Sequence, residues 1–384
     1  MSPRNRVDVV VVGAGIVGAS CAYHLAQLGA RVRVVDRASQ PATGATAKSA
    51  AGVRHQFSHP TNVEMSLHSI QIFKDFKLLY GVDSGYRPVG YLFMPPPEQW
   101  AEWKAQVAMQ RDLGAVVKTL SPKDLEKRYP GVNTEGIAGG VFGPEDGVVD
   151  PHAITMGYLQ QAKQLGAEVL LEHEVLSLTR KDERWHVETS QGTLETDFVV
   201  NAAGAFAGEV AARASLEVPV KPYRRNVYVT APLPDYPHPT PLMIDVATGV
   251  WVRSEGQRFI LGRSNPDEPA GDVQTVDWVW LEPLLTLATT RFPFLEQTAL
   301  DRKACWAGLY AITPDHTPIL GEMPGAPGFV NACGFSGHGV QHSPAAGMLV
   351  AEEILEGEMS SFDTDLFRIE RFADTDRTVE QNVV

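Results

Sequence analysis

Residues 7–36 constrain this chain more than any other stretch. An apolar run, Val7-Asp8-Val9-Val10-Val11-Val12, leads into Gly13-Ala14-Gly15-Ile16-Val17-Gly18. A helical pattern follows to Gly29, and a second apolar strand, Val32 to Val35, ends on Asp36. Strand, G-x-G-x-x-G turn, helix and an acid after the next strand is the order a dinucleotide site needs. Gly13 permits the tight turn, Gly15 lets backbone approach a pyrophosphate, and Gly18 lets helix and strand pack closely. The helix start offers unpaired N–H groups to phosphate. Asp36 stands 18 residues past Gly18, placed to accept hydrogen bonds from a ribose. The spacing marks Gly13, Ala14, Gly15, Ile16, Val17, Gly18 and Asp36, with neighbouring Arg37, as cofactor contacts. It does not separate NAD from FAD.

At 384 residues the chain suits two domains rather than one core. A net charge of −13 argues against nucleic acid, whose phosphates need basic patches. Cys21, Cys305 and Cys333 are widely spaced, which argues against a disulfide framework or a metal cluster and fits a reducing cytoplasm. Arg4 and Arg6 before an apolar run resemble a secretory signal. The glycine turn interrupts that run, however, and His24 and Gln27 follow in the helix, so the strand reading prevails. No run of 18 apolar residues exists to span a membrane.

Beyond the first unit, Asn62 to Tyr80 has helical periodicity, with Val63, Leu67, Ile70, Phe73, Phe76 and Leu79 on one stripe. Residues 86–145 change character: hairpin-like pieces such as Tyr91-Leu92-Phe93, then Pro95-Pro96-Pro97 and a charged helix around 98–113. From Asp150-Pro151 the alternation of helix and strand returns. A helix over 152–165 and extended pieces over 169–171 and 175–178 precede a hairpin of 185–189 with 192–195. A separate buried strand follows from Asp197 to Asn201, ending on Ala202-Ala203-Gly204. Residues 217–280 are rich in β-formers, and helices are expected over 278–291 and from about Ser343 to Glu356. The fold class is therefore mixed α/β and α+β: a Rossmann-like cofactor domain interrupted twice by a mainly antiparallel β-sheet substrate domain. The cofactor domain takes 1–85, 146–215 and 301–384, and the substrate domain takes 86–145 and 216–300.

Four more segments bear on the cofactor. The small residues from Thr46 to Gly52 allow backbone to lie against a flat ring. Ala203-Gly204 allows close approach at a strand's carboxyl edge. Gly308-Leu309-Tyr310-Ala311-Ile312-Thr313-Pro314-Asp315 is the third segment. The fourth, Gly334-Phe335-Ser336-Gly337-His338-Gly339-Val340-Gln341, feeds a helix whose positive end suits an electron-rich group. Each glycine segment alone reads as a turn. Jointly, two helix N-termini at opposite ends of the chain suit one extended cofactor, and FAD accounts for them best.

These residues resemble the D-amino-acid-oxidase-like FAD-dependent oxidoreductases. That family includes glycine oxidase, sarcosine oxidase, the β subunits of sarcosine oxidase and of dye-linked L-proline dehydrogenase, and a mitochondrial complex I assembly factor. Ser49-Ala50-Ala51-Gly52-Val53-Arg54-His55-Gln56-Phe57-Ser58, Gly249-Val250-Trp251-Val252-Arg253, Gly308 to Asp315 and Gly334 to Pro344 carry the resemblance. They are most similar to the proline-dehydrogenase β-subunit and assembly-factor branch, and the ending Glu380-Gln381-Asn382-Val383-Val384 adds to the likeness.

The resemblance implies a GR2-type FAD domain roofed by a β-sheet, and hydride transfer from the α-carbon of an amine or amino acid to flavin N5. No side-chain base is required, since protein orientation and electrostatics suffice. It extends the cofactor contacts to Gly44, Ala45, Thr46, Ser49, Ala50, Ala51, Gly52, Val175, Ala203, Gly204, Gly308, Gly334, Gly337, His338, Gly339, Val340 and Gln341. Arg54 matches the arginine that grips a substrate carboxylate; its alternative is a surface or phosphate-side arginine. Trp251 and Arg253 alternate on one strand face toward the flavin cavity or toward solvent. Tyr310 matches a carboxylate-binding position. His338 lies beside the flavin, as a catalytic group or as a backbone partner only.

Departures from the family pattern narrow the expectation. Gly308 and Ser49 replace residues that attach flavin covalently, and Cys305 is three positions off, so FAD is expected to be non-covalent. Gln341 replaces a carboxylate-binding lysine. Ile260 falls near an oxygen-activating lysine, which implies weak reaction with O2 and an acceptor such as a quinone or a partner subunit. The leading expectation is oxidation of the C–N bond of an amino acid or N-alkyl amino acid, sarcosine-like or proline-like. The alternatives are oxidation of a 2-hydroxy acid or glycerol-phosphate-type alcohol, or a largely non-catalytic FAD-binding subunit or assembly factor. Expected partners are a small amine or amino acid substrate and an electron acceptor, either O2 or a quinone or partner protein, with a partner subunit or homo-oligomer expected for this branch.

Overall fold

In the computed structural model, which describes residues 6–237, 239–373 and 379–382, the valine run forms strand Arg6–Val12 inside a sheet. β-Branched valine suits pleated backbone, and Val9, Val10 and Val11 are buried on both faces. Parallel neighbours flank it, Val32–Val35 on one side and Gly192–Asn201 on the other. Phe329–Cys333 and Glu168–Leu170 continue the parallel set outward. Antiparallel Ile319–Glu322 lies beyond Phe329–Cys333, while Val175–Lys181 and Arg184–Thr189 fold as an antiparallel flap onto Gly192–Asn201. Arg4 and the final pair Val383-Val384 lie outside the described residues.

Helices Ile16–Gln27, Pro60–Tyr80, Pro151–Gln164 and Gly339–Leu355 contribute to the core on the face carrying Val9 and Val11. The flap contributes Trp185 and Val187 to the opposite face, against Val10 and Val12. Along Pro60–Tyr80 the stripe holds from Val63 to Phe76, but Leu79 is exposed and Tyr80 takes the buried place. Glycine 347 fixes how close two of these helices come. A Cβ there would stand 2.2 Å from Ser20 Oγ and 2.6 Å from the Ser20 carbonyl carbon, so helices Ile16–Gln27 and Gly339–Leu355 touch.

A second sheet runs in the order Trp306–Ile312, Lys221–Val229, Arg258–Gly262, Val250–Glu255, Leu242–Asp245, Tyr91–Met94, Gly140–Gly143, Lys118–Leu120. Its pairings are antiparallel except where Leu242–Asp245 meets Tyr91–Met94. Strand Trp306–Ile312 belongs to this sheet through its register with Lys221–Val229. The segment 301–384 expected in the cofactor domain therefore enters through the substrate sheet.

Three boundaries differ from expectation for identifiable reasons. Residues 192–201 form one strand rather than a hairpin arm and a separate strand. The polar residue that breaks the apolar pattern, Asp197, stays in the strand and meets Arg184 at 3.2 Å. The last long helix begins at Gly339, not Ser343. Pro344 has no N–H for the Val340 carbonyl, and the Ser343 hydroxyl donates to that oxygen at 2.9 Å instead. A serine–proline pair that reads as a helix start is thus its second turn. Finally, the helix expected over 278–291 begins at Leu281, because Asp277 accepts from the Val279 and Trp280 N–H groups in the turn before it.

Gly347→Ala separates propensity from packing. Helix propensity alone favours alanine by about 1 kcal/mol, whereas the contact with Ser20 opposes any added Cβ. We expect a net loss of about 1–3 kcal/mol, the usual range for overpacking, read from urea unfolding. A gain in stability would show that the two helices yield freely.

Candidate functional site

The turn after Arg6–Val12 has little room for side chains. Gly13 adopts φ +111°, and a Cβ there would lie 2.4 Å from the Ala202 carbonyl oxygen. A Cβ on Gly18 would lie 1.9 Å from the Gly13 carbonyl oxygen. Gly15 is the N-cap and carries no side chain to cover the first-turn N–H groups; Thr46 Oγ1 accepts from that of Ile16 at 3.1 Å. Asp36 braces the turn, accepting from the Ala14 N–H at 2.7 Å and from the Ala38 N–H at 2.8 Å.

This turn opens on a cavity of about 410 Å³, within the usual range of small-molecule sites. Gly15, Ile16 and Val17 at one helix start line it, and so do Gly337, Gly339 and Val340 at the other. Both helix starts therefore face one space. Between them lie Gly334 and the strand-end residues Ala203 and Gly204. At the end near Asp36 the walls are Arg37, which lies 4.1 Å over the Phe206 ring, and Val175. Gly13, Gly44, Ala45, Thr46, Ser49 and Ala50 line it too, while Trp251, Gly308 and Tyr310 come from the second sheet. A Cβ at Gly337, whose φ is +100°, would stand 2.5 Å from the Tyr310 ring, so only glycine lets the helix turn approach that roof residue.

Other anticipated residues lie behind the wall. Ala14 and Gly18 serve the turn, and Ala51 and Gly52 lie off the lining. Arg54 is buried with its guanidinium stacked 3.9 Å over Phe57. It donates to the backbone carbonyls of Gln56 and Asn382 and stands 3.3 Å from His338 Nε2. Gln341 accepts from the Arg54 N–H at 2.9 Å and donates to Ser66 Oγ at 2.6 Å, so its amide is engaged at both ends. Arg253 donates to the Ala50 carbonyl at 2.8 Å and to Glu255 at 2.7 Å, tying the second sheet to the loop that carries Ser49. None of Arg54, Arg253, His338 and Gln341 lines the cavity among its described residues.

Burial, then the neighbouring Arg54 charge, holds the His338 imidazole well below its ordinary range, which leaves it neutral at pH 7. Burial likewise pushes the Tyr310 phenol up, so it stays a donor. Lining cations not singled out from the sequence are Lys48, Arg213, Arg225 and Arg263. Ile260 sits in an apolar cluster with Val227 and Val229. Lys48 and Arg225 bring positive charge to the cavity wall elsewhere. A signal for Arg225 did exist: the pair Arg224-Arg225 lies on a β-pattern whose alternate residues face opposite ways.

Residues 8–353 match the family model described as DAO, FAD dependent oxidoreductase. FAD-dependent oxidoreductase domain-containing protein 1 of Xenopus laevis is 32% identical over 431 residues, covering 100% of this chain and 86% of that protein. Mitochondrial sarcosine dehydrogenase of Mus musculus is 29% identical over 94% of this chain but only 42% of its own length. The solved L-proline dehydrogenase of P. horikoshii superposes with a TM-score of 0.87 at 28% identity, covering 96% of this chain and 98% of that one. The chain belongs to the DAO family of FAD dependent oxidoreductases. No helix among the described residues is long and apolar enough to cross a membrane.

Two histidines, His342 buried and His24 half-buried, make stability acid-sensitive. Burial pushes His24 down to about 4 and His342 down to about 3. Their unfolded value is about 6.5, so below that pH the unfolded chain binds protons that the folded chain does not. Stability is then complete above pH 7 and falls as pH drops toward 4. From pH 7 to pH 5 we expect a loss of about 2 kcal/mol for each histidine, measured by urea unfolding. A flat profile would show that neither ring is held neutral.

Proposed function

We propose that this chain oxidises the C–N bond of an amino acid or N-alkyl amino acid, in the manner of a sarcosine-like or proline-like secondary amine. One observation carries the proposal: a single cavity receives both helix starts and is roofed by Trp251 and Tyr310. The names of the sarcosine and L-proline dehydrogenases that this chain resembles support the same substrate class.

The residues fit FAD. The glycine turn leaves its helix start uncapped by a side chain of its own, and Asp36 keeps lone pairs after accepting the two backbone N–H groups. When bound, FAD supplies the acceptor for the hydride that leaves the substrate α-carbon. The chain's own part is orientation, exclusion of water and electrostatics. Trp251 closes the roof, and the Tyr310 hydroxyl stays protonated to hold a substrate oxygen. The first turn of Gly339–Leu355 turns the positive end of its dipole toward the cavity, where negative charge is stabilised. His338 stays outside the lining, so the substrate amine must be neutral before it reacts, without help from that imidazole. We also place the chain in a reducing compartment such as the cytoplasm, on the ground that its three thiols are free.

Two experiments follow. Gly308 has no nucleophile, and Cys305 Sγ is turned away, donating to the Asp301 carbonyl and accepting from the Val229 N–H, each at 3.3 Å. Acid precipitation should therefore release all the FAD into the supernatant, and flavin retained in the pellet would contradict this. In the second, the holoprotein is mixed anaerobically with proline, sarcosine, other N-methyl amino acids, primary amino acids and 2-hydroxy acids. At least one secondary or primary amino acid should bleach the flavin band. Bleaching by hydroxy acids alone would sink the proposal. Admitting air afterwards separates an oxidase, whose band returns, from a dehydrogenase that needs a quinone or a partner protein.

A further inference from the structure

Strand Lys221–Val229 carries two successive arginines, which fall on opposite faces. Arg224 is fully engaged. It bonds both oxygens of Glu268 at 3.1 and 3.2 Å, Asp277 at 2.9 Å and the Thr275 carbonyl at 3.2 Å. Arg225 faces the cavity instead. Its Nη1 donates to the Arg224 carbonyl at 2.9 Å, but its buried Nε has no hydrogen-bond partner. The guanidinium carbon stands 5.2 Å from the centre of the Tyr310 ring. A cation held in a partly desolvated wall with an unmet N–H is costly unless an anion completes it.

The charge around it points the same way. At the dinucleotide end the lining carboxylates Asp36, Glu174 and Glu209 stand with Arg37 and Arg213, and Arg213 pairs with Glu174 at 3.2 Å, whereas Lys48, Arg225 and Arg263 line the part beneath the second sheet. Arg263 donates to the Thr248 carbonyl at 2.6 Å, and Lys48 is exposed. Arg54, which does not line the cavity, has Nη1 and Nη2 turned to backbone carbonyls. Of these cations, Arg225 alone combines partial burial, an unmet buried N–H and contact with a roof residue.

We propose that Arg225, with the Tyr310 hydroxyl beside it, receives the carboxylate of the substrate, the part that family resemblance gives to Arg54. A guanidinium edge suits two carboxylate oxygens, and the phenol adds a third donor. The inference rests on the reading of the substrate as an amino acid, and it predicts that amines lacking the carboxylate bind poorly.

The test uses holoprotein and a ligand that cannot be oxidised at a C–N bond. Tetrahydrofuran-2-carboxylate and the uncharged tetrahydrofurfuryl alcohol are titrated by calorimetry and by the change in the flavin spectrum. Wild type should bind the carboxylate at least tenfold more tightly than the alcohol. Arg225→Met should abolish that preference with FAD content unchanged, Arg225→Lys should keep part of it, and Arg263→Met should keep all of it. Arg225→Gln, which retains a polar stem of similar reach, provides a second variant that should behave as Arg225→Met does. A preference that survives both Arg225→Met and Arg225→Gln would overturn the assignment. So would wild type that ignores the carboxylate, or variants whose only defect is loss of FAD. If no amine bleaches the flavin while Arg225 still governs carboxylate binding, the amine reading fails and the anion site stands.

Discussion

The site depends on two backbone approaches that side chains would forbid. Gly18 lies against the carbonyl of Gly13, and Gly13 against the carbonyl of Ala202. These contacts seat helix Ile16–Gln27 directly on the end of the central strand. The second approach, Gly347 against Ser20, lays helix Gly339–Leu355 along the first helix. Two helices packed so closely bring their starts to one cavity, although those starts are more than 300 residues apart in the chain. Convergence of two positive helix ends on an extended ligand is thus a result of helix packing, and the second sheet needs only to cover the opening.

Arginine is put to three different uses around that opening. Arg253 fastens the roof to the loop below it through the Ala50 carbonyl. Arg54 ties together the layer behind the cavity wall, bonding Gln56 and Asn382 while Phe57 covers its face. Arg225 fastens nothing comparable. In a chain of net charge −13, cations beside the cavity also bias its potential toward anionic ligands. Burial disfavours the Arg54 charge, and Glu380 is the first group to offset it. Within the protein, that cost is met by Glu380, by the Gln56 and Asn382 carbonyls and by the Phe57 ring.

What could be read from the sequence follows the range of the interactions. Strand, turn, helix and acid over residues 6–36 are set locally, by β-branched runs and glycine spacing, and the structure has them where the pattern puts them. Alternation put Trp251 and Arg253 on one strand face, yet only Trp251 lines the cavity, while Tyr310, singled out by family resemblance, lines it too. The helix start at Gly339 was hidden because Ser343-Pro344 carries the signature of a helix beginning, and only the Ser343 hydroxyl bond to Val340 explains its place inside. The environment of Arg54 was beyond reach for a different reason. One of its carbonyl partners, Asn382, lies 328 residues away, and nothing local marks a terminal segment as its neighbour.

That segment, residues 379–382, is hydrogen-bonded to the layer behind the cavity wall. Glu380 accepts from the Ser58 N–H and hydroxyl at 2.9 and 2.7 Å and from Asn62 at 2.8 Å, and Asn382 donates to Gln106 at 2.9 Å. Arg54 stands between this segment and His338, the N-cap of the second helix. Residues 54–62, the segment 380–382 and the helix start at His338 are therefore one hydrogen-bonded unit. A residue that holds such a unit together can match a family's binding position and still act by positioning. On the cavity wall the contrast is Arg225, whose Nη1 meets the Arg224 carbonyl but whose buried Nε is unmet, and this difference is what the proposed carboxylate contact rests on.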